Sequence, residues 1–310
     1  MRKRLTLTLT LAALAGGTLL AGSASAADPD GTIEVAGQAR SYSVHVPQGP
    51  VPPGGFPLVL VFHGGGMSVD RMKQMTGLEA VADARRFIVV YPEGIDRHWN
   101  DGRSTIKNPQ DDVRFVSDLL DRLQRDYRID PGRVYATGAS NGALFAERVG
   151  CELSGRIAGI AAVAGTLPVE TIAACHPVKP LAVLQIDGNA DPIMPYGGGA
   201  VKDFGGRGEG GLVTSVADTA AFWARHNGCG APGAPEPLPV RAPLDPTRVI
   251  RMRYTACMAG TRVTVLTVEG GGHVWPGSSM PAFPRITGAP SRQIDASEAI
   301  ATFFLTLPRR

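Results

Sequence analysis

A serine set between two glycines, Gly138-Ala139-Ser140-Asn141-Gly142, follows an apolar run and precedes a helical pattern. Glycines two residues before and two after would weaken a strand or a helix, so propensity does not explain them. A sharp strand-to-helix turn does: backbone crowds a serine there from both sides, and a side chain at either flank would collide with it. A serine hydroxyl is a weak nucleophile until a base takes its proton. Among His45, His63, His98, His176, His226 and His273, the last is the best placed base, on the Gly-rich stretch VEGGGHVWPG directly after an apolar run. His45 in a strand pattern, His226 in a helical one and His176 beside Cys175 have structural prospects. The base needs a carboxylate to hold its tautomer and stabilise the imidazolium. Asp191 fits, with Asp187 as its nearest competitor; Asp191 is preferred because it lies further out on the loop and has room to reach the histidine. Ser140, Asp191 and His273, in that chain order, are then the candidate triad.

Acyl transfer also needs donors for a tetrahedral oxyanion. In VFHGGGM the backbone is bare around Gly64, Gly65 and Gly66, so Gly65 or Gly66 is expected to supply one N–H. Asn141, the residue after the nucleophile, supplies the other. His63 is expected to shape this loop by hydrogen bonding rather than act as a base. Trp99 and Asn100 in RHWNDGR, and Trp275 two residues past the base, are candidates to line a substrate groove, with core packing an equal prospect for each tryptophan. Trp223, in a helical pattern, reads as core.

These residues must hang on a scaffold. Thr32–Val35 and Ser41–Val46 alternate as a hairpin would. The runs at 58–62 (LVLVF) and 87–91 (FIVVY) are almost wholly apolar, which suits strands buried on both faces of a mostly parallel sheet. Residues 134–137, 182–186 and 263–268 read likewise, and helical patterns lie at 78–85, 111–127, 141–149, 216–226 and 296–305. In 111–127, Val113, Val116, Leu119, Leu120 and Leu123 share one face opposite charged residues. Alternating strands and helices predict an α/β fold, a mostly parallel central sheet with helices on both faces. After residue 186 the chain enters a long Gly-rich loop reaching Gly211. It lacks the strand–turn–helix context and the Lys-Ser/Thr of a phosphate cradle.

Arg2, Lys3 and Arg4, an uncharged apolar stretch from Leu5 to Leu20 and the small residues Ala24-Ser25-Ala26 read as a secretory signal over residues 1–26, with the mature chain starting at Ala27. The apolar stretch is short for a membrane span, and no cysteine follows it to carry a lipid. The whole chain has 31 basic and 28 acidic side chains; with the three basic residues of the signal removed, the two signs balance at 28 each. Charge therefore points to neither nucleic acid nor a membrane surface as partner. The 284 residues of 27–310 are expected to form a single catalytic domain, since neither repeats nor low-complexity linkers divide them. Four cysteines in an exported chain suggest two disulfides. Of the three pairings, sequence order favours Cys151–Cys175 and Cys229–Cys257, although spacing alone does not decide. A zinc site is a poor rival without a CxxC motif.

With PLVLVFHGGG, VVYPEG, HWNDGR, DDVRFVSDLLDRL, RVYATGASNGA, DGNADPIMPY, FWARHNGC and GGGHVWPG assembled, the chain from about Tyr42 to Phe304 resembles the secreted esterases that group polyhydroxybutyrate depolymerases with feruloyl and acetyl-xylan esterases. The resemblance implies the α/β-hydrolase fold, Ser140 as nucleophile, Asp191 as acid and His273 as base, and no metal or organic cofactor. One departure is visible: where such proteins usually carry His-Gly-Thr, this chain has Asp187-Gly188-Asn189, a second carboxylate near the triad. The expected activity is carboxylester hydrolysis outside the cytoplasm, secreted or periplasmic, with a small or oligomeric ester as partner. Short-chain polyester or hydroxyalkanoate esters lead, and feruloyl or acetyl-xylan esters are the alternative. No appended polymer-binding module is expected, which favours soluble oligomers. A serine peptidase and a catalytically silent envelope binding protein are weaker readings, the latter because all three triad candidates are present.

Overall fold

The structure, a computed structural model, describes residues 30–203 and 208–310; the signal segment expected at 1–26 lies outside them. Twelve strands are described: β1 (Asp30–Val35), β2 (Gln38–His45), β3 (Phe56–Phe62), β4 (Ile88–Pro92), β5 (Ile129–Ala139), β6 (Gly159–Val163), β7 (Ala182–Gly188), β8 (Gly199–Ala200), β9 (Leu212–Val213), β10 (Glu236–Pro237), β11 (Arg248–Tyr254) and β12 (Val263–Glu269). The helices are α1 (Val69–Thr76), α2 (Leu78–Arg85), α3 (Asp112–Asp126), α4 (Asn141–Leu153), α5 (Val169–Ala174), α6 (Val216–His226), α7 (Pro284–Thr287) and α8 (Ala296–Leu305). Ten strands form one sheet in the order β1-β2-β4-β3-β5-β6-β7-β12-β11-β10, and β8 and β9 make a separate ribbon within the Gly-rich loop. The run β4-β3-β5-β6-β7-β12 is parallel throughout, with antiparallel strands at both edges.

The unbroken apolar runs are explained by two cores, one on each face of this sheet. In β3, Leu58, Leu60 and Phe62 join the cluster under α3, α4 and α6, while Val59 and Val61 point to the cluster under α1, α2 and α8. Each fully buried side chain of this kind contributes about 1.5–3 kcal/mol relative to exposure. Helix α3 starts where Asp111 accepts from the Arg114 N–H, and it buries the five apolar residues that its periodicity singles out. Trp223 lies in the first core as expected. Disulfides join Cys151 to Cys175 and Cys229 to Cys257, the pairing that sequence order favours. No described helix is long and apolar enough to cross a membrane.

Two buried features sit between the sheet and its helices with charge at stake. Arg40 pairs with Asp112 at 2.7 Å, both almost wholly buried. Glu147 on α4 is fully buried and accepts a hydrogen bond from Trp223 Nε1 at 2.6 Å. Burial pushes the Glu147 carboxyl up to about 8. Between its unfolded value of 4.5 and 8, the folded chain keeps a proton that the unfolded chain releases, so stability falls as pH rises through that window. The slope from such a group is about 1.4 kcal/mol per pH unit. Glu147→Gln keeps an acceptor for Trp223 and has nothing to titrate. It should flatten the decline in melting temperature from pH 5 to pH 8 and raise the melting temperature at pH 8. Calorimetry giving parallel curves for the two proteins would contradict this.

Candidate active site

Every site residue follows the carboxyl end of a parallel strand, where open α/β sheets place their ligands. Ser140 comes directly after β5, and its backbone (φ 54°, ψ −124°) lies in a region that side chains rarely occupy. The flanking glycines are required by contact. A Cβ on Gly138 would stand 2.3 Å from the Gly142 carbonyl oxygen, and one on Gly142 would stand 2.3 Å from that of Phe62. Ser140 N–H donates to the Val163 carbonyl of neighbouring β6, which fixes the turn to the sheet.

Asp191 and His273 lie on the loops after β7 and β12, which are adjacent parallel strands. These loops are zippered together. Asn189 N–H donates to the Val268 carbonyl, Ala190 N–H to that of Gly271, and Asn189 Oδ1 accepts from the Gly270 N–H at 2.7 Å. The approach is so close that a Cβ on Gly188 would stand 2.2 Å from the Gly271 oxygen. As a result His273 Nδ1 is 2.7 Å from Asp191 Oδ2, while Asp191 Oδ1 accepts from the N–H groups of Ile193 (2.7 Å) and Met194 (2.8 Å). Both carboxylate oxygens are therefore held. Asp187 has no such place. Its Oδ1 accepts from the Gly165 N–H at 3.0 Å, and it is buried below the loop. Burial first, and the Asp191 and Glu147 charges after it, raise its carboxyl well above the ordinary range.

His63 is fully buried at the end of β3. Its Nε2 accepts from the Gly94 N–H at 3.0 Å, which places the proton on Nδ1, 3.0 Å from the Gly64 carbonyl. Burial lowers its pKa to about 4, so it is neutral at physiological pH and braces the loop. Of the two glycines expected to donate to an oxyanion, Gly66 does not fit. Its N–H is engaged by the Arg97 carbonyl at 2.8 Å. Gly65 remains, against the His98 ring, with Gly64 beside Ser140. Asn141 opens α4, where the first backbone N–H groups have no partner within the helix.

The sequence HWNDGR does something other than line a groove. Trp99 is fully buried, stacked on Phe145 at 4.9 Å and edge-on to Phe62, and its Nε1 donates to the His63 carbonyl. Asn100 is turned away, its Nδ2 donating to the Gln110 carbonyl and its backbone N–H to Asp112. The groove role expected of these two gives way to a structural one: the loop clamps the elbow. Asn141 Oδ1 accepts from the Trp99 N–H, while its Nδ2 donates to the Trp99 carbonyl and to Asp101 Oδ2 at 2.7 Å. Asp101 is fully buried and also paired with Arg103 at 2.7 Å. Sequence reasoning passed over Asp101 because its partner lies forty residues away.

Ser140 and His273 open on one cavity of about 390 Å³, within the range of small-molecule sites. Trp275 is among its lining residues, although its Nε1 is tied to Ser297 Oγ at 3.0 Å and most of the ring is core. The rest of the wall includes Met67, Met75, Met280 and Phe283, none of them singled out by motif.

Comparison with known proteins gives the family and supports the fold. Residues 40–201 match the family described as Esterase PHB depolymerase. The chain is 35% identical to "Putative esterase NocK" of Nocardia uniformis subsp. tsuyamanensis, over 88% of this chain and 81% of that one. It is 28% identical to feruloyl esterase B of Piromyces equi over 76% of its length, although it spans only 42% of that relative. Among solved structures, the acetyl xylan esterase of Aspergillus awamori superposes with a TM-score of 0.58 at 12% identity, covering 85% of this chain and 93% of that one, which supports the fold. The chain belongs to the PHB depolymerase family of esterases, ester hydrolases built on the α/β-hydrolase fold.

Proposed function

We propose that the chain is an exported serine carboxylester hydrolase that works through an acyl-enzyme. The observation that carries this reading is the 2.7 Å contact between His273 and Asp191 beside a cavity that Ser140 also lines. His273 Nε2 takes the Ser140 proton as Oγ attacks the ester carbonyl, and the Asp191 carboxylate stabilises the imidazolium. The backbone N–H groups of Asn141 and Gly65 receive the oxyanion. The C–O bond to the alcohol then breaks, and His273 returns the proton to the departing oxygen. Water repeats the sequence on the acyl-serine, releasing the acid and restoring Ser140. Two disulfides among the described residues fit an oxidising compartment, in line with the leader read at residues 1–26.

Short-chain hydroxyalkanoate esters are the preferred substrates, because the cavity is small and its wall is rich in methionine and other apolar groups. Feruloyl ester hydrolysis is the second reading, favoured by the Piromyces equi relative. The test is parallel hydrolysis of p-nitrophenyl acetate, a 3-hydroxybutyrate oligomer and methyl ferulate, each repeated with Ser140→Ala. Serine-dependent preference for the oligomer is the expected result. Preference for ferulate would select the second reading, and absence of serine-dependent turnover would overturn both.

A further inference from the structure

The residues lining the Ser140–His273 cavity include two arginines and no aspartate or glutamate. Arg71 comes from α1 and Arg292 from the segment between α7 and α8, so two distant parts of the chain bring positive charge to one opening. Both side chains are exposed, and neither takes part in an ion pair among the described residues. Several other surface arginines do have carboxylate partners. Arg85 faces Glu298, Arg148 faces Glu152, Arg156 faces Asp121, and Arg251 and Arg253 share Glu236.

An arginine beside an apolar pocket affects which ligands fill it. A neutral ester offers an exposed guanidinium no partner better than the water it already has. A ligand carboxylate replaces that water with parallel N–H···O bonds, which the planar fork of arginine is shaped to make. The Met67, Met75, Met280 and Phe283 side chains meanwhile suit the aliphatic body of the same ligand.

We propose that the site selects esters that carry a free carboxylate, held by Arg71 and Arg292 while Ser140 attacks the ester carbonyl. The preferred substrate is then an acid-terminated hydroxyalkanoate oligomer, recognised by its end, in preference to its capped counterpart. This rests on the ester hydrolase reading above and refines its substrate.

The experiment compares kcat/KM for the 3-hydroxybutyrate dimer with that for its methyl ester, with p-nitrophenyl acetate as a control. The wild-type protein should favour the free acid, and that preference should shrink as salt is added, because exposed charges are screened. Arg71→Gln and Arg292→Gln should each lower the acid-to-methyl-ester ratio about tenfold, as expected for loss of one charge-assisted contact. The loss should appear mainly in KM, and the lysine variants should recover part of it. A wild type that treats the two dimers alike or prefers the methyl ester would overturn the proposal, as would variants that leave the ratio unchanged. Turnover of p-nitrophenyl acetate without either dimer would overturn it too, leaving the ester hydrolase reading intact. Failure to hydrolyse all three would remove that reading and this one together.

Discussion

Ser140→Ala should lower kcat for ester hydrolysis by roughly 10⁴–10⁶-fold, and His273→Ala should do the same. The two losses share one origin. Without the hydroxyl no acyl-enzyme forms, and without the imidazole the hydroxyl keeps its proton at neutral pH. The double variant should therefore be scarcely worse than either single one, a non-additivity that two independent contributions would not produce. Neither change should unfold the chain. Ser140 is fixed by its backbone N–H to Val163, and the His273 backbone donates to the Thr287 carbonyl at 2.5 Å, so both loops are held without their side chains. Steady-state kinetics beside melting curves would check this. Substantial turnover in a folded Ser140→Ala protein would mean that another group is the nucleophile.

Asp191→Asn should cost about 10⁴-fold in kcat, whereas Asp187→Asn should cost less than about tenfold. The difference follows from position. Asp191 Oδ2 touches His273 Nδ1 while Oδ1 is pinned by two backbone N–H groups, so an amide there presents a neutral dipole to the imidazolium and disturbs its tautomer. Asp187 is engaged with the Gly165 N–H on a different strand connection, and its environment already favours the neutral form. Removing its charge therefore changes little at His273. Single-turnover rates for the two variants separate the cases, and the reverse order would move the acid to Asp187.

Much of this arrangement is legible in the sequence because it rests on local rules. The wholly apolar runs mark strands covered on both faces, and the Gly-x-Ser-x-Gly spacing follows from close backbone contacts that only glycine allows. The pairing of Asp191 with His273 could be anticipated because chain order and loop position constrain it. Elements with weak local signals escape. β6 (GIAAV) is short and made of small residues, while β11 (RVIRMRY) carries three arginines yet is held in the sheet by pairing with β12. Helix α1 is mostly polar, so nothing in its pattern shows that Arg71 and Met75 reach the cavity, with Met67 just ahead of it. Trp99 and Asn100 illustrate the opposite error. Their residue types suggest ligand contact, but Trp99 is consumed by stacking on Phe145 and Asn100 by bonds to its own loop. Gly66 fails as a donor for a similar reason, since the Arg97 carbonyl that engages it lies thirty-one residues away.

The cavity wall has a consequence for how this protein can change. Most of the residues around the opening belong to one stretch, from His273 to Arg292, inserted between β12 and α8. Of the other lining residues, Gly64, Ala139 and Ser140 sit at strand ends, where a Cβ on Gly138 or Gly142 would stand 2.3 Å from backbone, while Arg71 and Met75 come from α1. Much of the wall is thus encoded in one stretch apart from the Ser140 turn, a stretch that also carries His273. A lineage could vary residues 278–283 and reshape the opening while the Thr287 and Ala289 carbonyls keep their hold on the His273 and Gly272 backbone, and a laboratory library confined to those positions would explore the same variation.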